Sequence, residues 1–158
     1  MKKTMLIMLI ILAVSAVFAA CSGEPSDSGE PKLIVDGDVL ITKNTVSEKA
    51  QFIPVEVDGT KLEIIAVTAP DGTIRTAFNT CQVCYDSGRG YYKQVGDALV
   101  CQNCKNTFTM DRVEVESGGC NPVPIWDEWT AETDDTITIP LTLLQEATMI
   151  FSNWKNEY

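Results

Sequence analysis

Two Cys-x-x-Cys pairs carry the chemistry this chain could do. Cys81-Gln82-Val83-Cys84 and Cys101-Gln102-Asn103-Cys104 lie sixteen residues apart, and Cys120 follows after fifteen more. One such loop turns tightly enough to aim two sulfurs at a point. Two loops supply the four thiolates of a tetrahedral metal or a small iron–sulfur centre. The chain has no His, which excludes Ser–His–Asp and Cys–His nucleophilic sites and Cys₂His₂ zinc. Cys81, Cys84, Cys101 and Cys104 are the expected ligands, of an iron–sulfur cluster first, with zinc or copper(I) as alternatives that soft sulfur donors also suit. Cys120 is a further candidate: a ligand, a replacement for one of the four, a redox-active free thiol or a buried bystander. The Gly118-Gly119 before it suggests a backbone that approaches something closely. Disulfides are the competing reading for an exported chain. Within each pair they would close loops too short to stabilise a fold much.

Something must bring the two pairs together, and the segment between them reads as a hairpin. Gly90-Tyr91-Tyr92-Lys93-Gln94-Val95 and Ala98-Leu99-Val100 flank a Gly96-Asp97 turn, a combination that reverses a strand. It would carry both pairs to the same end of a sheet. The layout is similar to the two-loop site of Rieske proteins, with Cys at the His positions. Zinc-ribbon loops commonly have Gly right after the second Cys; here Tyr85 and Lys105 stand there. Asn79, Asn103 and loop N–H groups are candidate donors to sulfur. Tyr91 and Tyr92 could shield the centre or simply pack the hairpin. Arg75 could pair with a carboxylate or orient the first loop.

The surrounding sequence alternates in the manner of short strands. Asp38–Thr42, Phe52–Val57, Thr60–Val67, Thr73–Phe78 and Thr107–Val115 are rich in β-branched residues and bounded by turn residues. Asp58-Gly59 predicts a tight hairpin, and Pro54 predicts an edge strand. Thr136–Pro140 is a further extended segment. Leu143, Leu144, Ala147, Ile150, Phe151 and Trp154 form one apolar stripe of a helix over 141–154. The expected fold is mainly β, a small antiparallel barrel or sandwich with a C-terminal helix.

The start of the chain reads as an address. Lys2-Lys3, an apolar run from Met5 to Val14 and small residues up to Ala20 make residues 1–20 a secretion signal peptide. The run is too short to cross a membrane comfortably. Phe18-Ala19-Ala20-Cys21 has the pattern of a bacterial lipobox, making Cys21 the expected lipidation site. Residues 21–32 then form the lipidated Cys and a polar tether, and 33–158 the metal-binding domain. The formal charge is −10, from 12 Lys+Arg and 22 Asp+Glu, which disfavours nucleic acid as a partner. Anionic head groups also repel such a chain, so membrane attachment is expected from acyl chains on the extracytoplasmic face.

These residues carry a family resemblance. Thr76–Cys84, Gly90-Tyr91-Tyr92, Val100–Cys104 and Gly118–Pro124 resemble the FtrD-like membrane iron–sulfur protein family. The similarity runs from about Val39 to Trp154. It implies an iron–sulfur or other metal-bearing electron carrier associated with membrane iron transport, and a membrane permease or redox partner. Family members are often fused to several transmembrane helices; this chain looks like a lipoprotein form of the soluble domain. Two other classes compete. One is a non-redox thiolate module holding structural zinc or delivering copper. The other is a thiol–disulfide enzyme, which would need Cys-x-x-Cys at a helix N-terminus in a βαβ setting that the sequence does not show. The chain reads as an electron-transfer protein rather than a catalyst.

Overall fold

Asp58 and Gly59 both take positive φ, 48° and 77°. That is the two-residue geometry whose twist suits a tight hairpin, and it joins the two longest strands. In a computed structural model that describes residues 31–156, eleven strands form in order: β1 (Ile34–Val35), β2 (Val39–Thr42), β3 (Gln51–Val57), β4 (Thr60–Thr68), β5 (Ile74–Cys81), β6 (Tyr92–Val95), β7 (Ala98–Cys101), β8 (Thr107–Thr109), β9 (Pro122–Pro124), β10 (Ala131–Glu132) and β11 (Thr136–Ile139), then helix α1 (Leu141–Ala147). They make three sheets, ordered β1-β3-β4-β5-β9, β10-β11-β2 and β6-β7-β8. The fold is mainly β and sandwich-like, with no closed barrel among the described residues. The signal peptide, Cys21 and most of the tether lie outside them.

The central strand explains the architecture. In β4, Leu62, Ile64 and Ala66 join one apolar cluster and Ile65 and Val67 another. Successive side chains of a strand face opposite ways, so the five-stranded sheet is covered on both faces. On one face, β2, β11 and the C-terminal helix pack Val39, Ile41, Ile137, Ile139, Leu144 and Phe151 onto it. On the other, the β6-β7-β8 sheet brings Tyr92, Leu99, Phe108 and the cysteines.

Several expectations need correction. Pro54 does not mark an edge: β3 lies between β1 and β4, although β1 pairs only with Val55 and Glu56 and leaves Pro54 outside that pairing. The strand expected over Thr107–Val115 stops at Thr109. A 3-10 turn over Met110–Arg112 follows, and Glu114 takes a positive φ of 61° that no strand accommodates. The apolar stripe of the C-terminal helix is present, with Leu144, Ala147 and Phe151 buried. Its regular part is shorter than expected: α1 gives way to a 3-10 turn over Thr148–Phe151. Helix α1 starts after Pro140, where its Leu141 N–H donates to Asp38 Oδ1 at 2.8 Å, satisfying one of the N–H groups every helix start leaves free.

Candidate metal centre

Three loops converge at one end of the second cluster. The first leaves β5 at Cys81. Cys81 N–H donates to Gly90 O at 2.7 Å, and both Ser87 N–H (3.0 Å) and Ser87 Oγ (2.6 Å) donate to Cys84 O. Gly90 has no alternative here, since a Cβ at that position would stand 2.4 Å from Cys84 O. The second loop leaves β7 at Cys101, and Lys105 N–H returns to Cys101 O at 3.0 Å. Lys105 takes φ 64°, the left-handed turn usually given to Gly, which is how this loop closes without one. The β6–β7 hairpin joins the two loops as the sequence suggests. Tyr92 pairs with Cys101, and Gly96, at φ 63°, opens its two-residue turn.

The third loop brings Cys120. Strand β9 pairs with β5 so that Pro122 faces Cys81, and Gln82 N–H donates to Asn121 O at 3.0 Å. The Gln82 side chain braces this loop twice: Nε2 donates to Pro122 O at 3.2 Å, and Gly118 N–H donates to Oε1 at 2.8 Å. Tyr92 donates its hydroxyl to Cys120 O at 2.7 Å. Gly118 and Gly119 have φ of 88° and 71° with nothing within 4 Å of a would-be Cβ. They serve the turn, and the expected close approach is absent.

The five cysteines among the described residues meet as free thiols. The sulfurs of Cys81, Cys84, Cys104 and Cys120 lie within 4.8 Å of one another. The Cys101 sulfur sits beside this group, hydrogen-bonded to those of Cys81 and Cys104. Cys81, Cys84 and Cys101 are buried, Cys120 is half-buried and Cys104 is exposed, so the group opens to solvent on one edge.

Hydrogen bonds decide how charge is shared. The Cys101 thiol and, beside it, the N–H groups of Val83 and Cys84 hold the Cys81 thiol well below its ordinary range, although burial opposes this. The same contact with Cys81 pushes Cys101 up. Burial, which limits hydration of a thiolate, pushes Cys84 up although Asn103 bonds to it. Cys104 is lowered: burial opposes this, but the Asn106 N–H and neighbouring thiols outweigh it. Cys120 is pushed up to about 12 by its bond to Cys104.

The other sequence candidates divide. Asn103 reaches Cys84. Asn79 does not serve sulfur: it is fully buried and accepts from Tyr92 N–H at 2.7 Å while donating to Glu63 Oε2. Tyr92 belongs to the site, whereas Tyr91 packs edge-on against Trp154 at 6.4 Å. Arg75 pairs with Asp71 at 2.7 Å. Three residues around the site carry roles that the sequence does not announce. Gln82 occupies an interior Cys-x-x-Cys position, where nothing in its type signals a brace. The C-terminal segment clamps the first loop, with Trp154 Nε1 donating to Asn79 O at 2.8 Å and Asn153 Nδ2 to Asp86 O at 2.6 Å. A polar atom at the end of an apolar stripe is the signal that could have found it.

Residues 36–151 match the family described as membrane iron-sulfur containing protein FtrD-like. The chain belongs to the FtrD-like family. No curated protein and no solved structure matches it. Among the described residues of this FtrD-like chain, no helix is long and apolar enough to cross a membrane. The donor set fits iron, which thiolates bind in both mononuclear and sulfide-bridged centres. Cysteines gathered from three loops against an apolar cluster offer the donors that a metal site needs.

Proposed function

We propose that this chain is an electron carrier whose iron is held by cysteine sulfur, attached to the membrane and serving a membrane protein that handles iron. The observation that carries this reading is the convergence of cysteine sulfurs at an edge only part-covered by protein. Iron in a thiolate site supplies a one-electron change at a potential that hydrogen bonds and exposure set. The chain supplies those controls. N–H groups of Val83 and Cys84 point at the Cys81 sulfur, and Tyr92 fixes the Cys120 loop. Buried Cys81 and Cys84 face the apolar cluster, while Cys104 faces outward. Exposed Val83 and Tyr85 flank Cys84 and offer a partner an apolar contact beside the metal, with short electron transfer through Cys104.

Attachment is proposed through a lipid on Cys21, with the domain on the extracytoplasmic face and a permease or oxidoreductase as partner. Family membership supports the membrane setting, and the lipobox pattern supports the means. A non-redox zinc or copper module is the competing use of the same sulfurs. Metal analysis with a visible spectrum, on chain purified without oxygen, separates the two. Iron with charge-transfer bands that bleach on reduction is the expected result. A colourless zinc protein would overturn it. Cys21→Ser should move the chain from the membrane fraction to the soluble one.

A further inference from the structure

The four sulfurs of Cys81, Cys84, Cys104 and Cys120 stand closer together than a multi-iron cluster allows. A single ion with metal–sulfur bonds near 2.3 Å places tetrahedral sulfurs about 3.8 Å apart. A four-iron cluster interposes a layer of metal and sulfide, and holds its cysteine sulfurs roughly 6 Å apart. A two-iron cluster separates its two cysteine pairs by a similar span, roughly 6 Å. Here none of the six separations exceeds 4.8 Å. A single ion asks the sulfurs to draw in by about an ångström at most. A cluster asks at least the pairs across it to move apart by more than an ångström.

The loops resist that expansion. Cys81 is pinned through its N–H to Gly90 O, and Gly90 lies against Cys84 O without room for a Cβ. Cys120 is pinned by Tyr92, whose hydroxyl holds its carbonyl, and by the Gln82 brace at Gly118 and Pro122. Tyr92 is itself 1% exposed and cannot swing out without opening the core. Cys101 stands outside the group of four; its sulfur donates to that of Cys81 and accepts the N–H groups of Cys104 and Asn103.

From this we infer that the centre binds one tetrahedral metal ion through Cys81, Cys84, Cys104 and Cys120, and that Cys101 supports the Cys81 sulfur from outside the coordination sphere. The inference rests on the proposed thiolate metal site but differs from the sulfide-bridged cluster that the family description suggests. It gives the site room for iron or zinc and none for inorganic sulfide.

The test is metal and acid-labile sulfide per chain, measured on the full-length protein solubilised in detergent and made without oxygen. One metal ion per chain with no labile sulfide is expected. Two or more irons with matching sulfide would overturn the inference while leaving the electron carrier intact. One zinc per chain would do the reverse. Cobalt(II) titration then reads the ligands: Cys101→Ser should keep the tetrahedral thiolate spectrum at one equivalent, and Cys120→Ser should lose its charge-transfer intensity or bind at least tenfold more weakly. Loss of the spectrum in a folded Cys101→Ser, with retention in Cys120→Ser, would overturn the ligand set. Because Cys101 is buried, Cys101→Ala is made alongside, and far-UV circular dichroism confirms folding of both.

Discussion

The two faces of the central sheet are built from different materials. On one, aliphatic residues of β2, β3, β4 and β11 meet α1, Phe78 and Phe151 in an apolar cluster. On the other, three buried cysteines and Tyr92 sit among Ile65, Val67, Leu99, Phe108 and Val113. The first face is held by area removed from water, which is non-directional. The second is held by directional bonds to loop carbonyls and sulfurs as well. A fold arranged this way can vary its stability on one face and its metal chemistry on the other.

That division can be attacked from both sides. The largest effect should come from Cys81→Ser combined with Cys104→Ser, which removes two central sulfurs. Bound metal should fall to background by elemental analysis, while the far-UV spectrum of the sheets persists. Next, Leu144→Ala leaves a cavity in the apolar face and should cost about 2–5 kcal/mol in denaturant unfolding. The metal content of the folded chain should be unchanged; metal loss at full folding would show that the two faces are coupled. Gly90→Ala forces a Cβ against Cys84 O and should weaken metal binding about ten- to hundredfold, as disturbed supporting residues do. Its effect on the apolar face should be small.

A smaller effect concerns Glu114, which links the Cys120 arm to β5 by accepting Thr76 N–H at 2.6 Å. Burial, with Asp127 beside it, pushes its carboxyl from 4.5 up to about 8. The folded chain therefore holds a proton there that the unfolded chain has lost between those values. Stability should decline as pH rises from about 4.5 to about 8. Glu114→Gln should flatten that part of the profile, read from unfolding midpoints across the range. Smallest of all, Glu116→Gln breaks the exposed pair with Arg112 and should leave the midpoint within error, because solvent screens such pairs.

Local chemistry made much of this legible from sequence. Asp58-Gly59 and Gly96-Asp97 dictate their own turns, and the second places both Cys-x-x-Cys pairs at one end of a sheet. The apolar stripe from Leu143 to Trp154 names the face of the C-terminal helix that is buried. Long-range pairing was harder to see. Pro122-Val123-Pro124 lacks two backbone donors and does not read as a strand, yet its pairing with β5 delivers Cys120. The strand expected to reach Val115 gives way to a 3-10 turn at Met110, and Glu114 takes a left-handed backbone that its type does not announce. The closeness of Cys120 to Cys81, Cys84 and Cys104 depends on that pairing and on a buried tyrosine hydroxyl. No spacing rule counts either of them.

The clamp that Asn153 and Trp154 place on the first loop has a consequence in time. Protein synthesis delivers residues in order, and Trp154 follows Asn79 by 75 positions. Both Cys-x-x-Cys pairs and Cys120 leave the ribosome before Asn153 and Trp154. The bonds from Asn153 and Trp154 form only when the C-terminal segment has docked.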